Sequence, residues 1–338
     1  MKILFPHSEE IPLLQLIPKT SENRSFYQNG LSKLIPRLRL KVHSNIDECH
    51  KLWEKFSPKQ SLFDLWDFRH TFYKGYQNTP YFFTIYNGVN PVCFLPLTYD
   101  YENKRYEWFG SDWHEENKFY YNNPILFSLI KAIFPTPLEL NAIAPESLPK
   151  PDKDFVNDDP QYVLSIKNVD TIESLLQLFN KKRRYNLKRE YQRIQTMSPT
   201  IEWIENKEAQ LKYILKLKEL SLARFLEEEN ISAFNSDDHF ECSLNIVKEQ
   251  GTYKIHILVI TIDNKIAGID VIAIYKSNYY LLEGANDIDN FPGIGSFMTY
   301  LEFEDAIKRK MGLINALQED HNWKHKYFTA RPMLKLAQ

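Results

Sequence analysis

The feature that most constrains the fold is a run of three strands, a glycine-containing loop and a helix between Tyr253 and Phe328. Aliphatic residues occupy both alternating sets of positions from Ile255 to Ile262, which predicts a strand buried on both faces. A tight turn at Asp263–Lys265 leads into further strands at Ile266–Tyr275 and Tyr279–Leu282. The stretch therefore predicts an antiparallel sheet that continues into a helix.

The loop before that helix carries glycines at Gly293 and Gly295, and the helix is predicted to end at Gly312. Free N–H groups at a helix start, together with the helix dipole, favour a phosphate. The alternative is a loop that needs a positive φ at one glycine. A dinucleotide-binding fingerprint is excluded, because a third glycine is missing and the loop follows an antiparallel run. The candidate cofactor-binding residues are Asn290, Gly293, Ile294, Gly295 and Ser296.

Composition excludes several classes of protein. The 338 residues are 43% hydrophobic, enough for two ordinary domains, and the net charge of -2 means that any anion binding is local. Three dispersed cysteines form neither a disulfide framework nor a metal motif, which indicates a reducing compartment. His321 and His325 lack the glutamate of a zinc-protease helix, so no metal is expected. No signal peptide and no apolar run of 18 residues is evident, which favours a cytoplasmic protein, with attachment to the periphery of the inner membrane as the alternative.

The first half is predicted to contain an N-terminal arm (1–35) and a domain at 36–150. Its order is a strand at 36–42, helices at 46–56 and 61–76, a hairpin turning at Asn87–Gly88, a strand, a helix and a strand. Asn45 is the expected cap of the first helix. Four prolines and four aspartates make 144–160 the predicted linker.

The second half, 161–338, repeats this order. A strand at 162–166 precedes a long helix from Asp170 to Gln195, for which Asp170 and Glu173 form a capping pair. A helix follows at 211–229, and a further helix, for which Asp237 is the expected cap, runs to Glu249 ahead of the strands already described. The repetition predicts an α/β (α+β) chain of two similar domains, with mixed, mostly antiparallel sheets flanked by helices.

The segment Lys181–Arg193 carries seven Lys or Arg and one acid, Glu190. It is either a solvated helix face or a patch for an anion: the 3′-phosphate of coenzyme A, an acyl carrier protein or a tRNA. Arg183 and Arg184 are its candidate substrate-binding residues.

Several motifs together resemble GNAT-superfamily acyltransferases of the CelD/BcsL-like group. They are Phe291–Gly293 before a helix, the short strand Leu313–Leu317, the segment Gln318–Lys324 and the basic run Lys181–Arg189, with Phe94–Leu97 and Trp108–Gly110 matching the N-terminal half. The resemblance covers roughly 41–328. It implies a tandem GNAT fold like that of FemAB aminoacyltransferases, with acetyl-CoA or another acyl-CoA held by the second domain as co-substrate. Because the matching segment of the first half, Ser111–Pro124, contains no glycine, the first domain is expected to shape the acceptor side.

The chain departs from that group at four positions. Asn290 stands where acetyl-CoA-binding members carry Gln or Arg, Asn315 where the group has Asp, Trp323 where it has Tyr, and Glu319 where it has Gly. A non-catalytic binding module that has kept the fold therefore remains an alternative.

Acyl transfer needs a base for the acceptor and a proton for the leaving thiolate. Glu283, at the end of the third strand, is the first choice of base, with Asp287 and Asp320 behind it. Tyr280 or its neighbour Tyr279 is the candidate acid. The resemblance makes Lys324 a candidate for holding a phosphate or carboxylate of the acceptor.

The predicted function is transfer of an acyl group from acyl-CoA or a carrier thioester to an amine or hydroxyl. The resemblance suggests a cell-envelope or polysaccharide precursor as the small-molecule or glycan acceptor. A FemAB-like transferase that uses aminoacyl-tRNA is the alternative among enzymes.

Overall fold

The computed structural model describes residues 9–20, 23–27, 31–111, 113–150, 152–225 and 232–337. They form two compact units, each described separately below. The first unit consists of the described residues up to Asp159 together with those from Pro332 onward. The second unit spans Pro160–Arg331. The division falls inside the proline-rich stretch 144–160.

The first unit begins with short elements and then follows the predicted order. Its elements are β1 (Glu10–Pro12), α1 (Leu13–Leu16), α2 (Leu31–Leu34), β2 (Leu38–His43), α3 (Ile46–Phe56), α4 (Trp66–Tyr76), β3 (Thr79–Asn87), β4 (Asn90–Asp100), β5 (Arg105–Trp108), β6 (Tyr120–Tyr121), α5 (Ile125–Ala132), β7 (Glu139–Ile143) and β8 (Val156–Asn157), with 3-10 turns at Arg24–Tyr27, Ile35–Arg37, Leu62–Asp64 and Pro145–Ser147.

The second unit contains the long antiparallel strands. Its elements are β9 (Gln161–Ser165), α6 (Ile172–Gln177), α7 (Lys181–Gln195), β10 (Thr200–Ile204), α8 (Lys207–Phe225), α9 (Asp237–Lys248), β11 (Lys254–Ile262), β12 (Lys265–Tyr275), β13 (Asn278–Asn286), α10 (Ile294–Lys308), β14 (Leu313–Asn315) and β15 (Thr329–Arg331), with 3-10 turns at Ala233–Asn235 and Lys324–Lys326. The chain then returns to the first unit as β16 (Leu334–Ala337).

Two features of the first unit, the start of α3 and the turn between β3 and β4, follow from interactions between residues close in sequence. The Asn45 side chain accepts the N–H groups of Asp47 and Glu48 at 3.0 and 3.1 Å, so α3 begins where predicted. Gly88, at φ 60°, turns the hairpin between β3 and β4. The main sheet has the order β1-β2-β3-β4-β5, with β6 on β4, and a small sheet has the order β7-β16-β8.

The second unit has a seven-stranded sheet of order β10-β11-β12-β13-β14-β9-β15. As predicted, β11 is buried on both faces, because Ile255 and Val259 on one face and Leu258 and Ile260 on the other are at most 1% exposed. Helices α10 and α7 pack together over a core that includes Leu187, Ile194, Phe297 and Phe303.

One predicted helix is wrong. The segment 170–195 forms two helices, because the Asn180 side chain accepts the N–H of Arg183 and starts α7 afresh. Thr171 and Ser174, rather than Asp170 and Glu173, form the capping pair of α6.

Other boundaries shift less. The predicted helix 61–76 begins as a 3-10 turn, and Ser236 rather than Asp237 caps α9. Helix α10 ends at Lys308, and Lys310 adopts φ 56° before Gly312. Strand β13, predicted to end at Leu282, continues to Asn286. Residues 226–229, predicted as the end of a helix, lie outside the described residues. None of the helices in the part of the chain that the structure describes has the length and apolarity needed to cross a membrane.

Candidate functional site

Strands β13 and β14 separate in the middle of the second unit's sheet. They pair in parallel over three positions, the last of which is Tyr280 opposite Asn315. Beyond it β13 continues to Asn286 and pairs with β12, but among the described strands none pairs with its other edge there. Backbone groups of Leu281–Asn286 on that edge are therefore available to a ligand.

A β-bulge lies at the point of separation. Val271 of β12 faces Glu283 and Ile272 faces Leu281, which makes Leu282 an extra residue in β13. A bulge bends a strand and re-aims the side chains that follow it, and bulges are over-represented beside active sites. The side chain re-aimed first is that of Glu283.

The Glu283 carboxylate is held by two side chains of α9. The Ser243 hydroxyl donates to its Oε1 at 2.8 Å, and Nε2 of His239 lies 3.2 Å from the same oxygen. His239 and Ser243 are buried, whereas the Glu283 side chain keeps 17% of its surface exposed. Sequence reasoning missed both partners. Their one sequence signal is a four-residue spacing, which places them on the same face of α9.

The other predicted catalytic groups are engaged elsewhere. Tyr280 is 1% exposed, and its hydroxyl accepts from the Asn278 amide at 3.3 Å, toward the start of the strand. Tyr279 donates to Asp305 at 3.2 Å. Asp320 accepts the backbone N–H of His325 at 2.9 Å and also contacts its ring. The residues the structure gathers around Glu283 are thus His239 and Ser243.

The predicted donor loop is largely held by the protein's own groups. The Asp287 carboxylate accepts both the backbone N–H and the side-chain amide of Asn290, at 3.0 and 2.8 Å. The N–H of Ile294 donates to the carbonyl of Phe291 at 3.0 Å, and the Ile294 side chain is fully buried. The N–H groups of Gly295 and Ser296 remain without an acceptor among the described residues, as is usual in the first helical turn.

Gly293 adopts φ 90° at the start of α10. A Cβ there would lie 2.3 Å from both Nη2 of Arg193 and Oε2 of Glu190, which belong to α7. Arg193 also donates to the Pro292 carbonyl. The glycine that we expected to admit a phosphate is therefore approached by the protein's own ion pair.

The predicted substrate-binding cations differ in their surroundings. The Lys324 ammonium is buried and donates to the carbonyl of Gln318. Arg184 donates to the Gln177 side chain. Arg183 is half-buried, lines a basic pocket and lies close enough to Tyr327 to act on its pKa. Arg183 is the one of the three that faces a pocket found in the described part of the chain.

Two acidic side chains meet beneath β13. Asp270 of β12 is hydrogen-bonded to Glu302 of α10, and a Cβ at Gly284 would lie 2.0 Å from Oδ1 of Asp270. Burial raises the pKa of Asp270 to about 7, although the bond from Glu302 acts the other way. Burial and the charge of Asp270 raise the pKa of Glu302 well above its ordinary range.

His321 and His325 each lie beside a carboxylate. His321 lies 3.2 Å from Glu319, and His325 contacts Asp320. Throughout the described ranges, no three His, Cys, Asp or Glu side chains are grouped so as to hold a metal ion.

Comparison with solved structures identifies the architecture. A tandem GNAT protein from the clavulanic acid biosynthesis pathway is 10% identical, with a TM-score of 0.52, and the match covers 88% of this chain and 97% of that one. This chain has a tandem GNAT-like fold.

Two further structures agree with that fold. FemX has a TM-score of 0.56 at 12% identity, covering 86% of this chain and 96% of its own. A conserved protein of unknown function from Bacteroides thetaiotaomicron has a TM-score of 0.57 at 11% identity, covering 88% and 99%. No protein-family model and no curated protein matches the sequence. The predicted fold class is confirmed.

Proposed function

We propose that the second unit is an acyltransferase that moves an acyl group from a thioester, acetyl-CoA or another acyl-CoA, to an amine or hydroxyl. The observation that carries the proposal is the Glu283 carboxylate, fixed by Ser243 and His239 directly after the bulge. It stands where β13 loses its partner strand and just before the N-terminus of α10, in a tandem GNAT-like fold.

In this proposal Glu283 is the general base. Both α9 contacts fall on Oε1, which leaves Oε2 for the acceptor proton. The acceptor nitrogen or oxygen attacks the thioester carbonyl as Glu283 takes its proton, and the carbon–sulfur bond then breaks. The departing thiolate takes up a proton from solvent, to which Glu283 releases the proton that it received. Ser243 and His239 act as positioning residues, because they fix the rotamer of the base without touching the substrate.

The donor is proposed to lie along the free edge of β13. Backbone N–H groups on that edge would polarise the thioester carbonyl and stabilise the charge that develops on its oxygen. The free N–H groups of Gly295 and Ser296, at the positive end of α10, would accept the donor's phosphates. Of the candidate cofactor-binding residues, these two carry the proposal.

Finer assignments rest on the sequence resemblance. We propose the CelD/BcsL-like grouping from the motifs described above, and with it a cell-envelope or polysaccharide precursor as acceptor in the cytoplasm or at the inner membrane. An acyl carrier protein is the corresponding alternative as thioester carrier.

Two other functions have a specific observation in their favour. The row of seven cations on α7 suits an aminoacyl-tRNA donor, and FemX shares the fold. A non-catalytic binding module is favoured by the donor loop itself, because Asn290 and Ile294 are bonded internally and Gly293 is covered.

The test begins with donor binding. Thermal shifts with acetyl-CoA, a longer acyl-CoA and bulk tRNA identify the donor, because a ligand that binds the native state stabilises it. Stabilisation by tRNA alone favours a transferase that uses aminoacyl-tRNA as donor. No shift with any of the three compounds favours a non-catalytic binding module.

Turnover is then measured as thiol release with a panel of amines and hydroxyl compounds. We expect Glu283→Gln to bind the donor normally and to lose about 10²- to 10⁴-fold in turnover. Ser243→Ala should lower kcat by a smaller factor with little change in KM for the donor, and Asp320→Asn serves as the control carboxylate. Full turnover by the Glu283→Gln protein would remove Glu283 from the mechanism.

A further inference from the structure

A basic pocket of about 560 Å³ lies between the start of α7 and the 3-10 turn at Lys324–Lys326. Its lining contains four cationic side chains, two amides and one imidazole, but no carboxylate. The lining residues are Asn180, Lys181, Lys182, Arg183, Asn186, His325 and Lys326.

Four of these cations lack an acidic partner in the described part of the chain: Lys181, Lys182, Arg183 and Lys326. Elsewhere on the same helix the charges are balanced, since Arg189 and Arg193 each lie 2.6 Å from a Glu190 oxygen. Four like charges around one concavity repel one another, and an anion bound among them removes that cost.

One residue, Tyr327, connects the pocket with the N-terminus of α10. Tyr327 follows the lining residue Lys326, and its hydroxyl is hydrogen-bonded to the hydroxyl of Ser296. Burial and the charge of Glu190 raise the pKa of Tyr327, while that bond and the nearby charge of Arg183 oppose the rise. A ligand whose phosphates meet the free N–H groups of Gly295 and Ser296 would reach the pocket by extending past Tyr327.

We infer that this pocket binds the phosphorylated nucleotide end of the donor, so that a phosphomonoester remote from the thioester is recognised by Lys181, Lys182, Arg183 and Lys326. The inference rests on the proposed acyl-thioester function and makes it more specific. A donor that ends in a 3′-phosphorylated nucleotide, as coenzyme A does, is preferred over one without that phosphate.

The shape of the site favours a small nucleotide over an RNA helix. The unpaired cations line a concave space of nucleotide size, and the amide of Asn186 adds a hydrogen-bonding group suited to a base or ribose. Lys188 and Arg189, which would extend a track along the helix, lie outside the lining. A duplex needs an extended row of phosphate contacts rather than one concave cluster.

The experiment compares coenzyme A with 3′-dephospho-coenzyme A by isothermal titration calorimetry. Wild-type protein should bind coenzyme A at least about tenfold more tightly, as expected for one charge-assisted phosphate contact. The pocket variant Lys181→Ala/Lys182→Ala should lose that preference. The control Lys188→Ala/Lys308→Ala, which removes two exposed lysines outside the lining, should keep it.

The outcomes separate this inference from the proposed function. Equal affinity of wild-type protein for the two cofactors, together with acyl-CoA turnover, overturns the pocket assignment and leaves the transferase standing. Binding of 3′,5′-ADP that depends on Lys181 and Lys182, without any binding of coenzyme A, supports the pocket and overturns the coenzyme A donor. Binding of an RNA acceptor-stem hairpin that needs these lysines, with none of the nucleotides bound, overturns the inference in favour of RNA.

Discussion

The buried acid pair beneath β13 predicts how the stability of the second unit depends on pH. Burial raises the pKa of Asp270 from 3.8 to about 7, and Glu302, whose pKa is raised further, stays protonated and donates to it. Between about pH 5 and pH 7 the folded state therefore holds two protons, one on each carboxyl group, that the unfolded state has released. Stability must then fall as pH rises through this window, and it continues to fall with a smaller slope above pH 7 as long as Glu302 keeps its proton.

The magnitude follows from the same change. At about 1.4 kcal/mol per pH unit, the interval from 3.8 to about 7 corresponds to a loss of about 4 kcal/mol from Asp270, and the titration of Glu302 adds to this loss. Asp270→Asn removes the titration, so the variant should gain on the wild type progressively from pH 4 to pH 7. Glu302→Gln keeps a donor toward Asp270 but removes the titration of Glu302, so it should reduce the slope that remains above pH 7.

Hydrogen exchange at several pH values, corrected for intrinsic exchange rates, is the suitable assay. It reports opening free energies for β12 and α10 separately from the first unit, so two-state unfolding of the whole chain is not required. A wild-type stability that is flat between pH 4 and pH 8, or an Asp270→Asn protein that keeps the wild-type slope, would refute the reasoning.

Three further predictions concern single side chains. Gly293→Ala should destabilise the second unit by about 1–3 kcal/mol, because φ 90° is strained for alanine and the new Cβ would displace Arg193 and Glu190. Urea denaturation measures this loss. Gly251→Ala is the control, because nothing lies closer than 4.0 Å to a Cβ at that position. Asn45→Ala should cost about 1 kcal/mol through the lost cap of α3, measured the same way, and an unchanged midpoint would contradict the assigned cap. His239→Gln, which keeps a hydrogen-bond donor toward Glu283, should retain more turnover than His239→Ala, with an unchanged KM for the acyl donor. Equal losses of turnover in the two variants would contradict a positioning role.

Elements fixed by neighbouring residues were predictable from the sequence. The start of α3 depends on Asn45 and the hairpin turn on Gly88, and both lie where local chemistry placed them. The break between α6 and α7 was missed because the charged and aliphatic pattern continues across it. The start of a second helix is evident only in the structure, where the Asn180 side chain accepts the N–H of Arg183.

The candidate site was predictable only in part. Glu283 could be singled out because it ends a strand before a glycine, but Ser243 is 40 residues away in sequence and belongs to another helix. The role of Gly293 was likewise hidden, because the groups that require it, Arg193 and Glu190, come from α7, and Arg193 lies 99 residues before Pro292. Contacts of such sequence separation leave no local pattern.

The covering of Gly293 also decides which side of the helix start can hold an anion. Glu190 lies 2.6 Å from Arg193 and largely cancels its charge beside Pro292 and Gly293, so a phosphate there would meet a carboxylate as well as a guanidinium. On the other side Gly295 and Ser296 offer free N–H groups, and Arg183, which forms no ion pair among the described residues, opposes the effect of the Glu190 charge on the neighbouring Tyr327. Opposite charge attracts and like charge repels over these short distances. A bound phosphate is therefore drawn away from the glycine that first drew attention in the sequence and toward the basic pocket of α7.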